Sequence, residues 1–182
     1  MEKKSIRPAV LMIVAAFCLF IFAGCSGDFE FKVEDEEFAA LPEEIQADSL
    51  ERMNDFGPKG DYQFDAVQYS DINKTIFVNF GNRSGNEWIA LMYNSDTNEF
   101  NAAAWRMNTT EMKDTIQGTH WLDLFRIRDP EQTVSDDEAR SAVEELCQTS
   151  VQMQDAAEKD VGNYRFFVSS SQTFQYIAFY NA

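Results

Sequence analysis

Histidine occurs once and cysteine three times in the 182 residues. These two shortages exclude much chemistry. His120 is the only imidazole, so any histidine base for a nucleophile must be this one, with Asp123 three residues on as its orienter. The nearest serine motif, Gly81-x-x-Ser84-Gly85, lacks the spacing of a nucleophile elbow. We therefore expect His120 to be structural or surface-exposed. One histidine and so few cysteines cannot assemble a zinc site alone. The 8 glycines form no phosphate-binding loop, and no cofactor is expected. Basic residues are also scarce, 15 against 31 acidic, for a net charge of −16. Such a chain repels nucleic acid and anionic lipid surfaces, and suits a cationic protein partner if it has one.

One long apolar run stands apart. Lys3, Lys4 and Arg7 precede it, and residues Ala9–Phe22 carry no charge over 14 positions. That is the length of the apolar part of an export signal and short of the ~20 residues of a spanning helix. Ala23 and Gly24 then supply the small residues a signal peptidase needs, directly before Cys25. Here the sequence resembles bacterial lipoprotein precursors, with Ala23, Gly24 and Cys25 matching their lipobox and Phe22 standing where Leu is usual. The resemblance covers the first 25 residues. It implies cleavage before Cys25 and a diacylglyceryl thioether on its sulfur. It places the rest of the chain on a bacterial membrane, facing outside the cytoplasm, with the membrane as partner through that lipid. Two acyl chains suffice for stable anchoring where one is marginal, at ~0.8 kcal/mol per buried CH₂.

The expected organisation is then a signal peptide over 1–24, an acidic tether over 25–40 and a single domain over 41–182. Without Lys3, Lys4, Arg7 and Glu2 the remainder has 12 basic and 30 acidic residues, net −18. Half of that excess lies in residues 28–55, where eleven acids face two bases. Like charges extend a segment, so the start of this stretch reads as a spacer. Cys18 leaves with the signal and Cys25 is the lipid site, so Cys147 has no intramolecular disulfide partner. The domain must be stable from its core, for which 14% aromatic content is ample material.

Periodicity gives the elements. Pro42, Glu43 and Glu44 open a helix over 41–54, with Pro at a first-turn position and acids at the positive end of the dipole. Alternating apolar residues mark strands at 62–69 and 76–80. The continuous run Trp88–Tyr93 marks a central strand, and 100–107 a fourth, together a meander. Asn108-x-x-Glu111 resembles a capping box for a short helix over 109–117, and 121–127 favours strand. Ser135 caps the strongest helix, 136–156, with Asp136, Asp137 and Glu138 in its first turn. Ala139, Val143, Leu146, Cys147, Val151 and Met153 keep to one side of it. A hairpin over 164–170 and 173–181 follows. Tyr164, Phe166, Phe174, Tyr176 and Tyr180 are expected on one of its faces, and Phe167, Ile177 and Phe179 on the other. The predicted class is α+β: a twisted antiparallel sheet of about six strands with one main amphipathic helix packed on a face.

Other chemistry reads weakly. Asn94-x-Asp96-x-Asn98 begins like a calcium loop, but Glu99 and Trp105 stand where Gly and the bidentate Glu belong, so a hairpin turn is expected. Cys147 reads as a buried structural thiol. The expected function is a membrane-anchored extracytoplasmic lipoprotein with a non-catalytic binding or accessory domain. The alternatives are an envelope-anchored hydrolase using unpaired carboxylates or His120, and an inhibitor-like partner of a cationic protein.

Overall fold

The computed structural model describes residues 31–56, 62–82, 87–108, 124, 134–153, 156–162, 164–170 and 174–181. Among these residues three helices, α1 (Glu36–Ala39), α2 (Glu43–Phe56) and α3 (Asp136–Met153), accompany seven strands. These are β1 (Tyr62–Ser70), β2 (Thr75–Asn82), β3 (Glu87–Asn94), β4 (Phe100–Asn108), β5 (Ala156–Val161), β6 (Tyr164–Ser170) and β7 (Phe174–Asn181). They form one antiparallel sheet in the order β1-β2-β3-β4-β7-β6-β5. The α+β class and the four-strand meander match expectation. Among the described residues the strand count is seven, because Ala156–Val161, where no strand was expected, forms β5, and the helix expected over 136–156 is described as Asp136–Met153.

The reason is local. The helical pattern of Ala139, Val143, Leu146 and Cys147 has no apolar continuation in Ala156-Ala157-Glu158-Lys159-Asp160. That segment pairs with β6 instead, and Gly162 at φ 63° makes the turn between them. With no Cβ, glycine enters this left-handed region at no steric cost.

The helices cover one face of the sheet. Trp105, Tyr93, Phe80, Ile89, Leu91 and Phe166 point into the core with less than 2% of their surface exposed. Helix α2 is fixed over the meander by Tyr93, whose hydroxyl reaches Asp48. Helix α3 packs on β5 and β6, where Ser150 Oγ lies 2.5 Å from Ser170 Oγ. Lys159 meets Glu145 of α3 from the same side. The core therefore lies between one sheet and one helical layer.

Two expectations need correction. First, residues 31–40 are not tether. The compact unit runs Phe31–Ala182, with residues 1–30 forming the other unit. Phe31 and Phe38 are buried, joined to the sheet by an edge-to-face chain of rings, Phe31–Phe80–Phe64–Phe38. Phe31 N–H also donates to Asn54 Oδ1 at 2.5 Å, and Asp35 caps α1 through the Glu37 N–H. Two aromatic side chains placed between acids are enough to fold a stretch whose charge alone reads as extended. Second, the faces of the last hairpin join differently from expectation: Phe166 pairs with Phe179 and Val168 with Ile177, so Ile177 and Phe179 do not share a face with Phe167, and Ile177 is buried with Phe166 and Tyr164 on the helix-bearing face. Alternation within each strand is as expected, and the cross-strand register, which neither strand shows alone, decides which faces join. The helix expected over 109–117 and the strand over 121–127 lie outside the described residues, apart from Leu124, which is fully buried.

Candidate functional site

Cys25, His120, Asp123, Ser84 and Gly85 all lie outside the described residues. The loop Asn94–Asn98 is described, and it is a hairpin turn. Asn94 Oδ1 accepts from the N–H groups of Asp96 and Thr97 at 2.8 and 3.1 Å, and Asn98 N–H closes onto the Asn94 carbonyl. Asn98 sits at φ 61°, a left-handed position asparagine tolerates. The Asn94 side-chain oxygen that a cation would use is thus already bound to backbone. Among the described residues no group of three or more His, Cys, Asp or Glu could hold a metal ion.

The acids at the start of α3 are explained by the helix itself. Ser135 Oγ accepts from the Glu138 N–H at 3.3 Å, and Asp137 and Glu138 are exposed beside the positive helix end. Cys147 is 2% exposed on the apolar side of the helix. Burial, aided by the nearby negative Glu144, pushes its thiol up to about 12. A thiol so protonated is a small packing group at neutral pH and a poor nucleophile.

The most concentrated polar chemistry lies under α2, where sequence reasoning did not look. Asp48 and Arg52 are one helical turn apart, with Arg52 Nε 2.7 Å from Asp48 Oδ2. The same oxygen accepts from the Tyr93 hydroxyl at 2.8 Å. Because Tyr93 spends its single proton there, Ser49 Oγ donates to the Tyr93 oxygen at 2.9 Å. Arg52 is 3% exposed and rests 3.5 Å from the centre of the Phe100 ring. Its Nη1 donates to the Leu124 carbonyl at 3.2 Å. One guanidinium thus links α2, β4 and residue 124, combining an ion pair, a cation–π contact and a carbonyl. Burial, then the Asp48 charge, holds the Tyr93 phenol well above its ordinary value.

A second relay closes the other end of α2. Trp105 Nε1 donates to the Tyr62 oxygen at 3.2 Å, and Tyr62 donates to Glu87 Oε2 at 2.6 Å. Phe56 stacks edge-on against both rings. Burial and the Glu87 carboxylate raise the Tyr62 phenol. Both clusters leave their phenols protonated and donating at neutral pH. Ser49 is fully buried and its proton is committed to Tyr93. The arrangement braces a helix against a sheet. The sequence signal for it was Asp48-x-x-x-Arg52 on a helix whose apolar stripe is interrupted by polar residues. The chain matches no protein-family model, no curated protein and no solved structure.

Proposed function

We propose that this chain is an exported protein, cleaved before Cys25 and anchored to a bacterial membrane through lipid on that cysteine. On this reading the unit Phe31–Ala182 is a non-catalytic binding or accessory domain outside the cytoplasm. The observation that carries it is the uncharged run Ala9–Phe22, preceded by Lys3, Lys4 and Arg7 and followed by Ala23-Gly24-Cys25. Only Ser26–Glu30 lie between Cys25 and the first core residue, so the tether reaches at most about 20 Å at ~3.3–3.6 Å per residue. The acidic surface suits this place, since it keeps the domain from lying down on anionic lipid. Among proteins, it favours a cationic partner.

The test is Cys25→Ala in a bacterial host fed an alkyne-labelled fatty acid. The expected result is lipid label on the wild-type chain and none on the variant. The variant should also stay at precursor size or move to the aqueous phase on detergent partition. Normal processing with unchanged membrane retention in the variant overturns the anchor.

A further inference from the structure

Three asparagines of the chain stand in the acceptor pattern for N-linked sugar, Asn-x-Ser/Thr: Asn73-Lys74-Thr75, Asn82-Arg83-Ser84 and Asn108-Thr109-Thr110. The fold separates them. A transferase must take hold of the carboxamide, so that side chain has to stand at the protein surface. Asn82 is 7% exposed inside β2, paired with Tyr62 on one side and Glu87 on the other. Asn108 lies in the ladder between β4 and β7, opposite Phe174. Asn73 belongs to the turn between β1 and β2, where Asp71, Ile72, Asn73 and Lys74 are all exposed. Its main chain is held from both sides. Its N–H donates to Ser70 Oγ at 3.4 Å, and its carbonyl accepts from Thr75 Oγ1 at 3.0 Å. Lys74 takes a left-handed φ of 51°, which closes the turn directly after it. Among the described residues nothing hydrogen-bonds the Asn73 carboxamide. The hydroxyl that the pattern requires thus already sits beside the acceptor residue, while the amide itself is left for a partner.

We infer that Asn73 is the acceptor for an N-linked glycan. The inference rests on the export read from residues 1–24, since this modification belongs to the surface loops of exported chains, and it does not need lipid on Cys25. The donor is an oligosaccharide carried on a polyprenyl pyrophosphate, and a separate transferase performs the chemistry. Asn73 Nδ2 bonds to the anomeric carbon of the first sugar. The bond from that carbon to the pyrophosphate oxygen breaks, the pyrophosphate leaves with the electron pair, and one amide proton passes to a base of the transferase. A bulky, hydrated sugar at this position also covers the apolar side chains beside it, Ile72 at 95% exposed and Tyr69 at 64%. These are the only large hydrophobic residues exposed among those described.

The experiment produces the full chain in a bacterial host that carries an N-oligosaccharyltransferase and its polyprenyl-linked oligosaccharide. Mass spectrometry of the intact protein and of its peptides gives the readout. The wild type should carry one glycan, on the peptide containing Asn73 and not on those containing Asn82 or Asn108. Asn73→Gln and Thr75→Val should each lower the modified fraction at least tenfold, and Thr75→Ser should keep it. Asn73→Gln should retain the circular dichroism and Tm of the unmodified protein, since the residue is exposed, so its loss of sugar is not a loss of fold. A wild type that is processed at its signal yet bears no sugar overturns the glycan site alone, as does sugar that persists in Asn73→Gln. A wild type that stays at precursor size without sugar overturns the export reading and this site with it.

Discussion

Helices α2 and α3 lie on the same face of the sheet and bury the same kind of stripe, yet they hold by different chemistry. In α2 the buried positions are Ile45, Ser49, Arg52, Met53 and Phe56. In α3 they are Ala139, Ala142, Val143, Leu146, Cys147 and Ser150. Both follow the 3–4 spacing of one helix face. Under α3 the contact is mostly aliphatic, with a thiol that behaves as a small apolar group and one buried hydroxyl, Ser150, paired with Ser170. Under α2 two of the five buried side chains are polar: Ser49 bonds Tyr93 directly, and Arg52 bonds Asp48, which accepts from Tyr93. An apolar stripe can slide by a turn at modest cost, whereas Arg52 and Asp48 are satisfied at one position only. We expect α3 to supply burial and α2 to supply register.

The largest effect should come from placing a charge in the core under α3. Val143 is fully buried. Val143→Asp puts a carboxylate at a fully buried position of the apolar core, where it is either desolvated or protonated. We expect a loss above ~4 kcal/mol, enough to unfold a domain of ordinary stability. The readout is loss of the cooperative thermal transition. A folded Val143→Asp protein with a normal Tm would mean the face of α3 is misassigned.

The next effect breaks the other side. Asp48→Ala leaves Arg52 buried without its carboxylate and Tyr93 without its acceptor, at a cost of about 3 kcal/mol. Replacing both charges together, as Asp48→Leu with Arg52→Met, removes the unpaired group and should recover most of that loss. Urea titration of the three proteins gives the comparison. If the double variant is as unstable as Asp48→Ala, the polar brace contributes net stability and register is not its main role.

A pH series sharpens the contrast from the α3 side. The Cys147 thiol is raised to about 12 in the folded protein, against about 8.5 for an exposed thiol. Below that lower value both states are protonated and no stability is lost. Between the two, the unfolded chain gives up a proton that the folded one keeps, so stability falls as pH rises. Tyr62 and Tyr93, also raised by burial, add to the decline above their usual range near 10. Cys147→Ala should flatten the decline between about pH 9 and 10, where the tyrosines contribute little. Native protein should resist thiol reagents at pH 8. Rapid labelling of Cys147 there would contradict its burial.

These contrasts track what could be read from the chain. The meander was legible because Ile76-Phe77-Val78 and Trp88–Tyr93 are bounded by strong turn residues. Helix α3 was legible because its cap, its first-turn acids and its stripe agree. The start of the domain was not, since charge density over 28–55 hid Phe31 and Phe38, whose burial depends on rings 26 and 49 positions away. The brace under α2 was invisible for a related reason. Asp48 and Arg52 look like an ordinary exposed i,i+4 pair until Tyr93, 45 residues from Asp48, is brought over them. Strand β5 was missed because Glu158-Lys159-Asp160 has no alternation of its own, and only the partner strand gives it a register.

The smallest effect isolates what a surface charge adds to α3. Lys159 of β5 pairs with Glu145, with 41% and 64% of their side chains exposed. By distance alone it resembles the Asp48–Arg52 contact. Water screens it, however, and ordering two long side chains costs entropy, so such pairs contribute ~0–1 kcal/mol. Glu145→Ala should therefore cost well under 1 kcal/mol and shrink further in high salt, while the Asp48→Ala loss stays nearly constant. A double-mutant cycle with Lys159→Ala measures the coupling directly. A coupling energy near that of Asp48 with Arg52 would mean exposure does not separate the two ion pairs. The division between a helix held by burial and a helix held in register would then have to be drawn elsewhere.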